Sequence, residues 1–429
     1  MMAMLSLLGL GQQAKTRRIL TYALSALGAF TILTMGCADD LGAIDAAYDA
    51  AFDFSASRDM SRNQADLDLL SVNPDGGFNG VGVAQCPCHG CAWRGTQAFC
   101  WGANTFGALG DNTQTSRNSA ATVQGLAAVG TIAQMAVGCG NPSVSGHTCA
   151  LNTAGELWCW GSNMFGQLGD QTATDQALPV KIGGLPALIG ISLGAMHTCA
   201  VAGNGHVYCW GNNQSLQIGD GTSVDRAAPT QIAVTNVVEV SAGSFHSCVR
   251  LSSGKLSCWG ANNYGEVGNR DIAGAPSPTA VIGIDDAVRL TTGQFHTCAN
   301  RASGGAWCWG AGMYGTLGNG TTPNSQLIPV QVGLGFSPAE LSSVTAICAR
   351  DAQGPVSCWG GAIDQTGAIV IHASPVAVQL SDAVALGGSC AVRVDGTVSC
   401  WGFNSDGQIG DGTNKPRAAP SDVVGIVWQ

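Results

Sequence analysis

The chain has 429 residues and a formal net charge of −10, with 11% charged residues, 45% hydrophobic residues and 61 glycines. So few charges exclude a coiled coil or a disordered acidic protein, and the acidic balance without any basic cluster excludes nucleic acid as a partner. Eighteen cysteines indicate an oxidising compartment or several metal sites. The composition therefore favours a compact, turn-rich, mainly β protein.

Residues 1–37 have the features of an export signal. Lys15, Arg17 and Arg18 precede an uncharged apolar stretch that ends in a glycine before Cys37. The five residues ending at Cys37, Leu-Thr-Met-Gly-Cys, resemble a bacterial lipoprotein cleavage site, and this resemblance implies that Cys37 is lipidated. Ordinary cleavage and an uncleaved anchor remain the alternatives.

Residues 38–80 differ sharply from the rest of the chain. They contain nine aspartates against Arg58 and Arg62, a net charge of −7. A segment of this kind repels itself and buries little apolar surface. We therefore expect a disordered acidic tether that holds a folded body away from a surface.

A repeat occupies the remainder of the chain. The tripeptide Cys-Trp-Gly recurs at intervals of 59, 50, 49, 50, 50 and 42 residues, beginning at Cys100, Cys159, Cys209, Cys258, Cys308, Cys358 and Cys400. Each unit contains about four short apolar runs separated by Gly, Asn and Asp, which is the pattern of strands joined by tight turns. Seven such units predict a radial array of four-stranded blades.

The unit sequences also carry a family resemblance. His-Thr-Cys-Ala, then Cys-Trp-Gly-x-Asn-x-x-Gly-Gln-Leu-Gly-Asp, then Pro-x-x-Val, resemble the regulator-of-chromosome-condensation repeat family over about residues 84–429. The resemblance implies an all-β fold, a seven-bladed β-propeller, which we assign to residues 81–429. Unit six departs most, because Gly361 and Ala362 stand where the other units begin the Asn-containing loop.

The two ends of the repeat region suggest how the ring closes. The first hairpin, Cys91 to Cys100, lacks the Pro-x-x-Val strand that precedes the others, whereas the C-terminus has a spare one in residues 420–426. A ring whose last strand completes its first blade has no exposed edge there. We therefore expect the C-terminal strand to join the first blade.

Paired cysteines recur in every unit, nine or ten residues apart on strands joined by a short turn. Opposed residues on such strands have the separation that a disulfide needs. The expected pairs are Cys91 with Cys100, Cys149 with Cys159, Cys199 with Cys209, Cys248 with Cys258, Cys298 with Cys308, Cys348 with Cys358 and Cys390 with Cys400. The alternatives are reduced cysteine pairs, as in a cytosolic protein, and zinc sites, which would need ligands clustered from several pairs.

Four cysteines are left outside these pairs, Cys37 of the leader and, in the repeat region, Cys86, Cys88 and Cys139. An extra bridge between the first two units is one hypothesis, and its pairing stays open. The sequence Cys88-His89-Gly90-Cys91 copies a redox motif, but such motifs need a helix N-terminus and this one enters a strand. We interpret these cysteines as structural.

Histidine recurs at one repeat position, two residues before the hairpin cysteine, as His89, His147, His197, His246 and His296. A metal ring and hydrogen bonding to neighbouring backbone are the two interpretations, and we favour the second because metal clusters usually break repeat symmetry. Catalytic triads, nucleotide loops and carboxylate pairs cannot be distinguished from the repeat background. The sequence therefore predicts no enzyme, no cofactor and no metal.

Aromatic residues recur in the loop that follows Cys-Trp-Gly, as Phe106, Phe165, Tyr264 and Tyr314. Equivalent loops open on one propeller face, so these side chains either pack over the blade edges or bind a partner. Aromatic anchors dominate protein interfaces. These four residues are our candidate partner-binding site.

The predicted function is that of an exported or surface-anchored scaffold in the cell envelope. It would bind a protein or a glycan through loops on one face, act as a monomer, and touch the membrane only through its N-terminal lipid or anchor. The family resemblance implies an alternative, a guanine nucleotide exchange factor for a small GTPase. A glycan lyase is a third hypothesis.

Overall fold

The computed structural model describes residues 81–138, 146–343, 346–364 and 366–428. The predicted leader, the predicted tether and Cys139 lie outside these residues. Within them the chain forms seven four-stranded antiparallel sheets, and in each sheet the strands lie side by side in chain order.

The strands are grouped here by sheet, and each sheet is one blade. They are β1 (Gly82–Gln85), β2 (His89–Arg94), β3 (Gln97–Gly102) and β4 (Arg117–Thr122); β5 (Ile132–Gly138), β6 (His147–Asn152), β7 (Leu157–Gly161) and β8 (Gln176–Ile182); β9 (Leu188–Leu193), β10 (His197–Ala202), β11 (Val207–Gly211) and β12 (Arg226–Ile232); β13 (Val237–Ala242), β14 (His246–Leu251), β15 (Leu256–Gly260) and β16 (Ala275–Ala280); β17 (Ala287–Thr292), β18 (His296–Arg301), β19 (Ala306–Ala311) and β20 (Ser325–Gln331); β21 (Glu340–Ser343), β22 (Ala346–Arg350), β23 (Val356–Ile363) and β24 (Ile369–Ala377); β25 (Ala383–Leu386), β26 (Cys390–Arg393), β27 (Val398–Gly402) and β28 (Arg417–Asp422).

The first strands of successive blades are neighbours all the way round, and β1 also contacts β25. The blades therefore form a closed ring with their first strands innermost. The predicted all-β, seven-bladed propeller is confirmed. Helical structure in the described residues is limited to two single 3-10 turns, Leu126–Ala128 and Met313–Gly315. In the same part of the chain, no helix has the length and apolar character that crossing a bilayer requires.

Burial falls from the centre of each blade outwards, and blade three shows this clearly. Every residue of β10 is buried, whereas the outermost strand, β12, is largely exposed or half-buried. Middle strands are covered on both faces by adjacent blades, and β10, with the sequence HTCAVA, is mostly apolar, as expected for a strand in a two-sided core. The core of this protein therefore lies mainly between blades, where the tryptophans of the Cys-Trp pairs are buried.

The predicted strand exchange at closure is wrong. The C-terminal strand β28 pairs with β27 in its own blade, and blade one is built entirely from Gly82–Gln85 to Arg117–Thr122. Each Pro-containing strand pairs with the hairpin that precedes it in the chain. The next blade then begins with the short apolar strand that follows the Pro-containing strand. Blade one is therefore complete without a strand from the C-terminus.

The ring closes instead by packing blade seven against blade one. The indole N–H of Trp101 donates to the carbonyl oxygen of Gln408 at 2.9 Å. The N–H of Gly412 donates to the carbonyl of Asn118 at 2.7 Å. Farther along, the ring of Trp428 meets that of Phe99 edge-on, 5.3 Å between centroids. Closure is thus noncovalent, and its Trp101 and Gly412 bonds recur at other joints of the ring.

Candidate partner-binding face

The β1–β2 and β3–β4 type connections of each blade lie at the same end of the propeller, because consecutive strands are antiparallel. We call this end the loop face. The connections between third and fourth strands are its largest segments, and they carry the predicted aromatic residues. The second-to-third strand turns lie at the opposite end.

A buried asparagine holds each regular loop in shape. In blade two, the Asn163 side-chain N–H groups donate to Asp170 at 2.9 Å and to the Thr174 carbonyl at 3.1 Å, while its Oδ1 accepts from the Leu168 N–H at 3.0 Å. Equivalent bonds are made by Asn104, Asn213, Asn262 and Asn404. One side chain therefore satisfies several turn groups and fixes the loop's position on the face.

The glycine after the aromatic position allows the loop to reach the next blade. Gly166 has φ of 78°, and a Cβ placed on it would lie 2.4 Å from the Cα of Ala227. That separation is far below van der Waals contact, and positive φ disfavours other residues. Glycine is required here both by the close approach and by the backbone conformation.

The predicted aromatic residues do not form a single patch. Phe106 is only 4% exposed, so it contributes to the core and not to an accessible surface. Phe165, Tyr264 and Tyr314 are half-buried at the loop face. Tyr314 lies in a 3-10 turn with φ of 60°. A partner-binding role for these residues stays a prediction.

Three further apolar side chains extend this cluster and were missed by the sequence prediction: Phe245 and Phe295 are half-buried, and Met196 is buried beneath the rings. Phe165 and Phe245 pack against Met196. The Phe245 ring stacks on Phe295 with 6.1 Å between centroids, and Tyr264 lies 5.5 Å from Phe295. We call these five residues the aromatic arc. It runs along the loop face from blade two to blade five.

A signal for the missed residues was present in the sequence. Met196, Phe245 and Phe295 each stand immediately before the repeat histidine, in the short connection between first and second strands. Recognising them requires knowing that this connection opens on the same face as the longer loop. The strand order within the blade supplies that knowledge, and the spacing of the motifs alone does not.

The repeat histidines link adjacent blades. Each Nε2 contacts a Ser or Thr hydroxyl of the next blade at 2.9–3.0 Å, in the pairs His89–Thr148, His147–Thr198, His197–Ser247, His246–Thr297 and His296–Ser343. The bonds therefore reach side-chain hydroxyls, whereas the sequence interpretation expected neighbouring backbone.

The hydroxyl's own bond shows which ring nitrogen of these histidines carries a proton. Thr198 donates its only proton to the Gln167 carbonyl at 2.8 Å, so its oxygen must accept from the N–H of His147 Nε2. The ring is neutral because burial lowers the pKa of His147 and of His197 to about 3. These histidines are structural hydrogen-bond donors at neutral pH.

Comparison with known proteins decides the family. A family model described as an RCC1-like domain matches residues 32–428. The chain belongs to this RCC1-like family. Yeast RCC1 (Prp20), solved bound to Kap60, superposes with a TM-score of 0.69 at 17% identity, covering 85% of this chain and 87% of that one.

Other relatives agree with the RCC1-like fold. A structure of Prp20p from Saccharomyces cerevisiae gives a TM-score of 0.69 at 18% identity over 85% of this chain and 90% of the other. Human WBSCR16 gives 0.63 at 20% identity, covering 76% and 94%. A Homo sapiens protein described as probable E3 ubiquitin-protein ligase HERC4 is 32% identical over 103 residues, 23% of this chain but only 9% of its own length.

One RCC1-like loop contains a buried carboxyl group. Glu266 occupies the position that is Gln167 in blade two and Gln217 in blade three. Its Oε2 accepts from the backbone N–H of Tyr264 at 2.8 Å. Burial raises the pKa of Glu266 to about 7. The carboxyl is buried next to the backbone of Tyr264, a residue of the aromatic arc, and the raised pKa places its charge change near neutral pH.

The disulfides lie away from the loop face, within the blades. All seven expected pairs are closed, each between directly opposed residues of the second and third strands, with Cα atoms 4.0–4.2 Å apart. Cys86 is also disulfide-bonded, and Cys88 is a buried thiol. Each bridge staples the middle of one blade.

The described residues bring together no group of three or more His, Cys, Asp or Glu side chains able to hold a metal ion. The repeat histidines do not converge, because each one is bonded to the blade beside it. The arrangement is suited to stabilising blade joints and presenting an apolar surface.

Proposed function

We propose that this RCC1-like protein is a non-catalytic scaffold outside the cytoplasm that binds a protein partner through the aromatic arc. The observation that carries the proposal is the arc itself, four half-buried rings on one face, two of which pack on the buried side chain of Met196. Clustered, partly exposed aromatic side chains are typical of protein interface centres.

A protein partner fits the arc better than a glycan does. Sugars stack on open ring faces, whereas Phe245 and Phe295 stack on each other and Tyr264 is tilted against Phe295. What the arc offers is a composite apolar surface made of the partly exposed aromatic rings, with Met196 buried beneath them. Such a surface is complementary to apolar side chains of another protein. Among the solved relatives, Prp20p is described with binding to Gsp1p and histones, which are proteins.

Seven disulfides support the location outside the cytoplasm, since thiols are kept reduced in the cytosol. Alkylation and mass spectrometry of protein recovered from envelope extracts should find the fourteen blade cysteines blocked. Free thiols in the blade pairs would contradict this location. The lipid on Cys37 is a separate proposal, tested by intact-mass measurement of the mature chain.

Partner capture tests the arc. The full chain and a Tyr264→Ala, Phe245→Ala, Phe295→Ala variant would be used as baits in envelope extracts, with quantitative mass spectrometry of what each retains. We expect the variant to lose a specific protein by tenfold or more, because arc residues would be interface anchors. The matched control is Val394→Ala, a 54% exposed apolar residue in the turn after β26 at the opposite end. Equal capture by all three baits would contradict the arc as the binding surface.

A further inference from the structure

Two hydrogen bonds recur at the blade joints. In the first, the tryptophan of one blade donates its indole N–H to a loop carbonyl of the preceding blade, at 2.8–3.1 Å. The pairs are Trp101–Gln408, Trp160–Ala108, Trp210–Gln167, Trp259–Gln217, Trp309–Glu266 and Trp359–Thr316. The first of these is the joint between blades seven and one.

In the second bond, a loop N–H four residues later donates to the outermost strand of the following blade. The pairs are Asn112–Ala177, Gln171–Ala227, Gly221–Pro276, Arg270–Leu327, Gly320–Ala373 and Gly412–Asn118, at 2.7–3.3 Å. Together the two bonds clamp the outer half of a joint. We call this pair of bonds the outer clamp.

The joint between blades six and seven has no outer clamp among the described residues. Blade six replaces the Asn-containing loop with an extended hairpin, in which β23 runs to Ile363 and β24 starts at Ile369. Among the residues of this hairpin that the structure describes, none therefore supplies a carbonyl to the indole N–H of Trp401. That side chain is 7% exposed, whereas its six equivalents are at most 1% exposed.

The innermost strands of the same joint are still bonded to each other, although Ala346 stands at the repeat histidine position of blade six. The N–H of Leu386 donates to Glu340 at 3.0 Å, and the N–H of Gly388 donates to the Ser342 hydroxyl at 2.7 Å. These bonds tie the innermost strands of the two blades. The joint is consequently hydrogen-bonded at the centre of the ring, whereas among the described residues its periphery has packing of β23 against β28 and no outer clamp.

We propose that the propeller opens between blades six and seven, hinging on the inner bonds while the outer strands separate. Disulfides within each blade keep the blades rigid, so separation occurs at a joint. The weakest joint is the one without the outer clamp, and the ring therefore has a single preferred opening. This device is independent of the aromatic arc, which lies on blades two to five.

Native-state hydrogen exchange of the full chain tests the proposal. Peptides covering β27 and β28 should exchange about tenfold faster than those covering β11 and β12, as expected for strands beside a joint that opens locally. Equal protection of the two pairs of strands, or slower exchange in blade seven, would overturn the proposal.

Matched variants give the second measurement. Trp210→Phe removes an indole N–H that belongs to an outer clamp, and exchange in β11 and β12 should rise about tenfold. Trp401→Phe removes an indole N–H that belongs to no outer clamp, and exchange in β27 and β28 should change less than twofold. If Trp401→Phe accelerates exchange as much as Trp210→Phe does, the proposed opening is wrong. If Trp210→Phe does not fold, the comparison within the unmodified chain decides alone.

Discussion

Blade three and blade six are built from the same unit but are fastened differently. Both have four strands and a disulfide between the two middle ones, Cys199–Cys209 and Cys348–Cys358. Blade three also has the Asn213 loop, which reaches blade four, while blade six has a hairpin in its place. The difference teaches that forming a blade and joining it to its neighbour are separate tasks carried by separate parts of the repeat.

The largest predicted effect is the pH dependence of stability that comes from the repeat histidines. They bond blades one to five to the blades that follow, and Ala346 and Gly388 replace them in blades six and seven. Burial lowers the pKa of four of them to about 3 and of His296 to about 4. The unfolded chain therefore binds more protons between pH 6.5 and these values, and stability falls as the pH falls. Each histidine should cost on the order of 3 kcal/mol between pH 6.5 and 4.

Chemical denaturation at a series of pH values measures this dependence. His197→Gln keeps an N–H for Ser247 but does not titrate, so the variant should take up about one proton fewer on unfolding near pH 5. His206→Gln, at a half-buried histidine that follows the turn at residues 203–205, is the control. An unchanged proton uptake for His197→Gln would refute the neutral-histidine assignment.

A pH effect smaller than that of the five histidines together is expected at Glu266, a residue that distinguishes blade four from blade three. Its folded pKa of about 7 lies above its ordinary value of 4.5, so stability is full below pH 4.5 and is lost as the pH rises towards 7. The loss should approach about 3 kcal/mol by pH 8. Glu266→Gln should remove this loss, and thermal melts at pH 5 and pH 8 would then differ far less than those of the unmodified chain.

The absolute stability of Glu266→Gln is a weaker test than its pH dependence. In blades two and three the glutamine amide donates to Ser162 and Asn212, but Ala261 occupies that place in blade four. The new amide would lack this acceptor. Glu239→Gln is not a matched control, because Glu239 is paired with Arg250. A pH difference that persists in Glu266→Gln would assign the titration to another group.

The smallest predicted effect is a change in stability that compares the Asn213 loop of blade three with the hairpin of blade six. Asn213→Ala removes a buried side chain that bonds Asp220, the Val224 carbonyl and the Ile218 N–H. Leaving such groups unsatisfied should cost about 2 kcal/mol in the free energy of unfolding. Ala362→Asn, at the equivalent place in the blade-six hairpin, should change it by less than about 0.5 kcal/mol. Similar values for both in urea denaturation would contradict the separate role of the loop.

Much of the fold could be predicted from the sequence because the same strand pattern recurs in seven units. Cys209-Trp210-Gly211 fixes the third strand, and the cysteine ten residues earlier fixes the second strand opposite it. The boundary between units could not be fixed in that way. A periodic sequence has no marked beginning, so the strand containing Pro420 was assigned to the wrong neighbour, and only the pairing of β28 with β27 decides it.

The candidate site was less accessible to sequence reasoning. Phe165, Tyr264 and Tyr314 could be placed on one face because the loop recurs, but burial depends on neighbours that are remote in sequence. Phe106, for example, is buried although its loop position is the same. The arc joins residues about 20 to 50 positions apart, such as Tyr264, Phe295 and Phe245. Only the packing of adjacent blades brings them together.

Each of the seven staples encloses a short stretch of nine or ten positions. If a pulling force were applied to the two termini, the blades would unfold one after another. The loop closed by each disulfide would not add to the length of the extended chain. Each disulfide thereby shortens the extended chain by about 30 Å, and the seven together shorten it by an amount on the order of 200 Å. A reductant would therefore lengthen the fully extended molecule, so its reach would depend on the redox state around it.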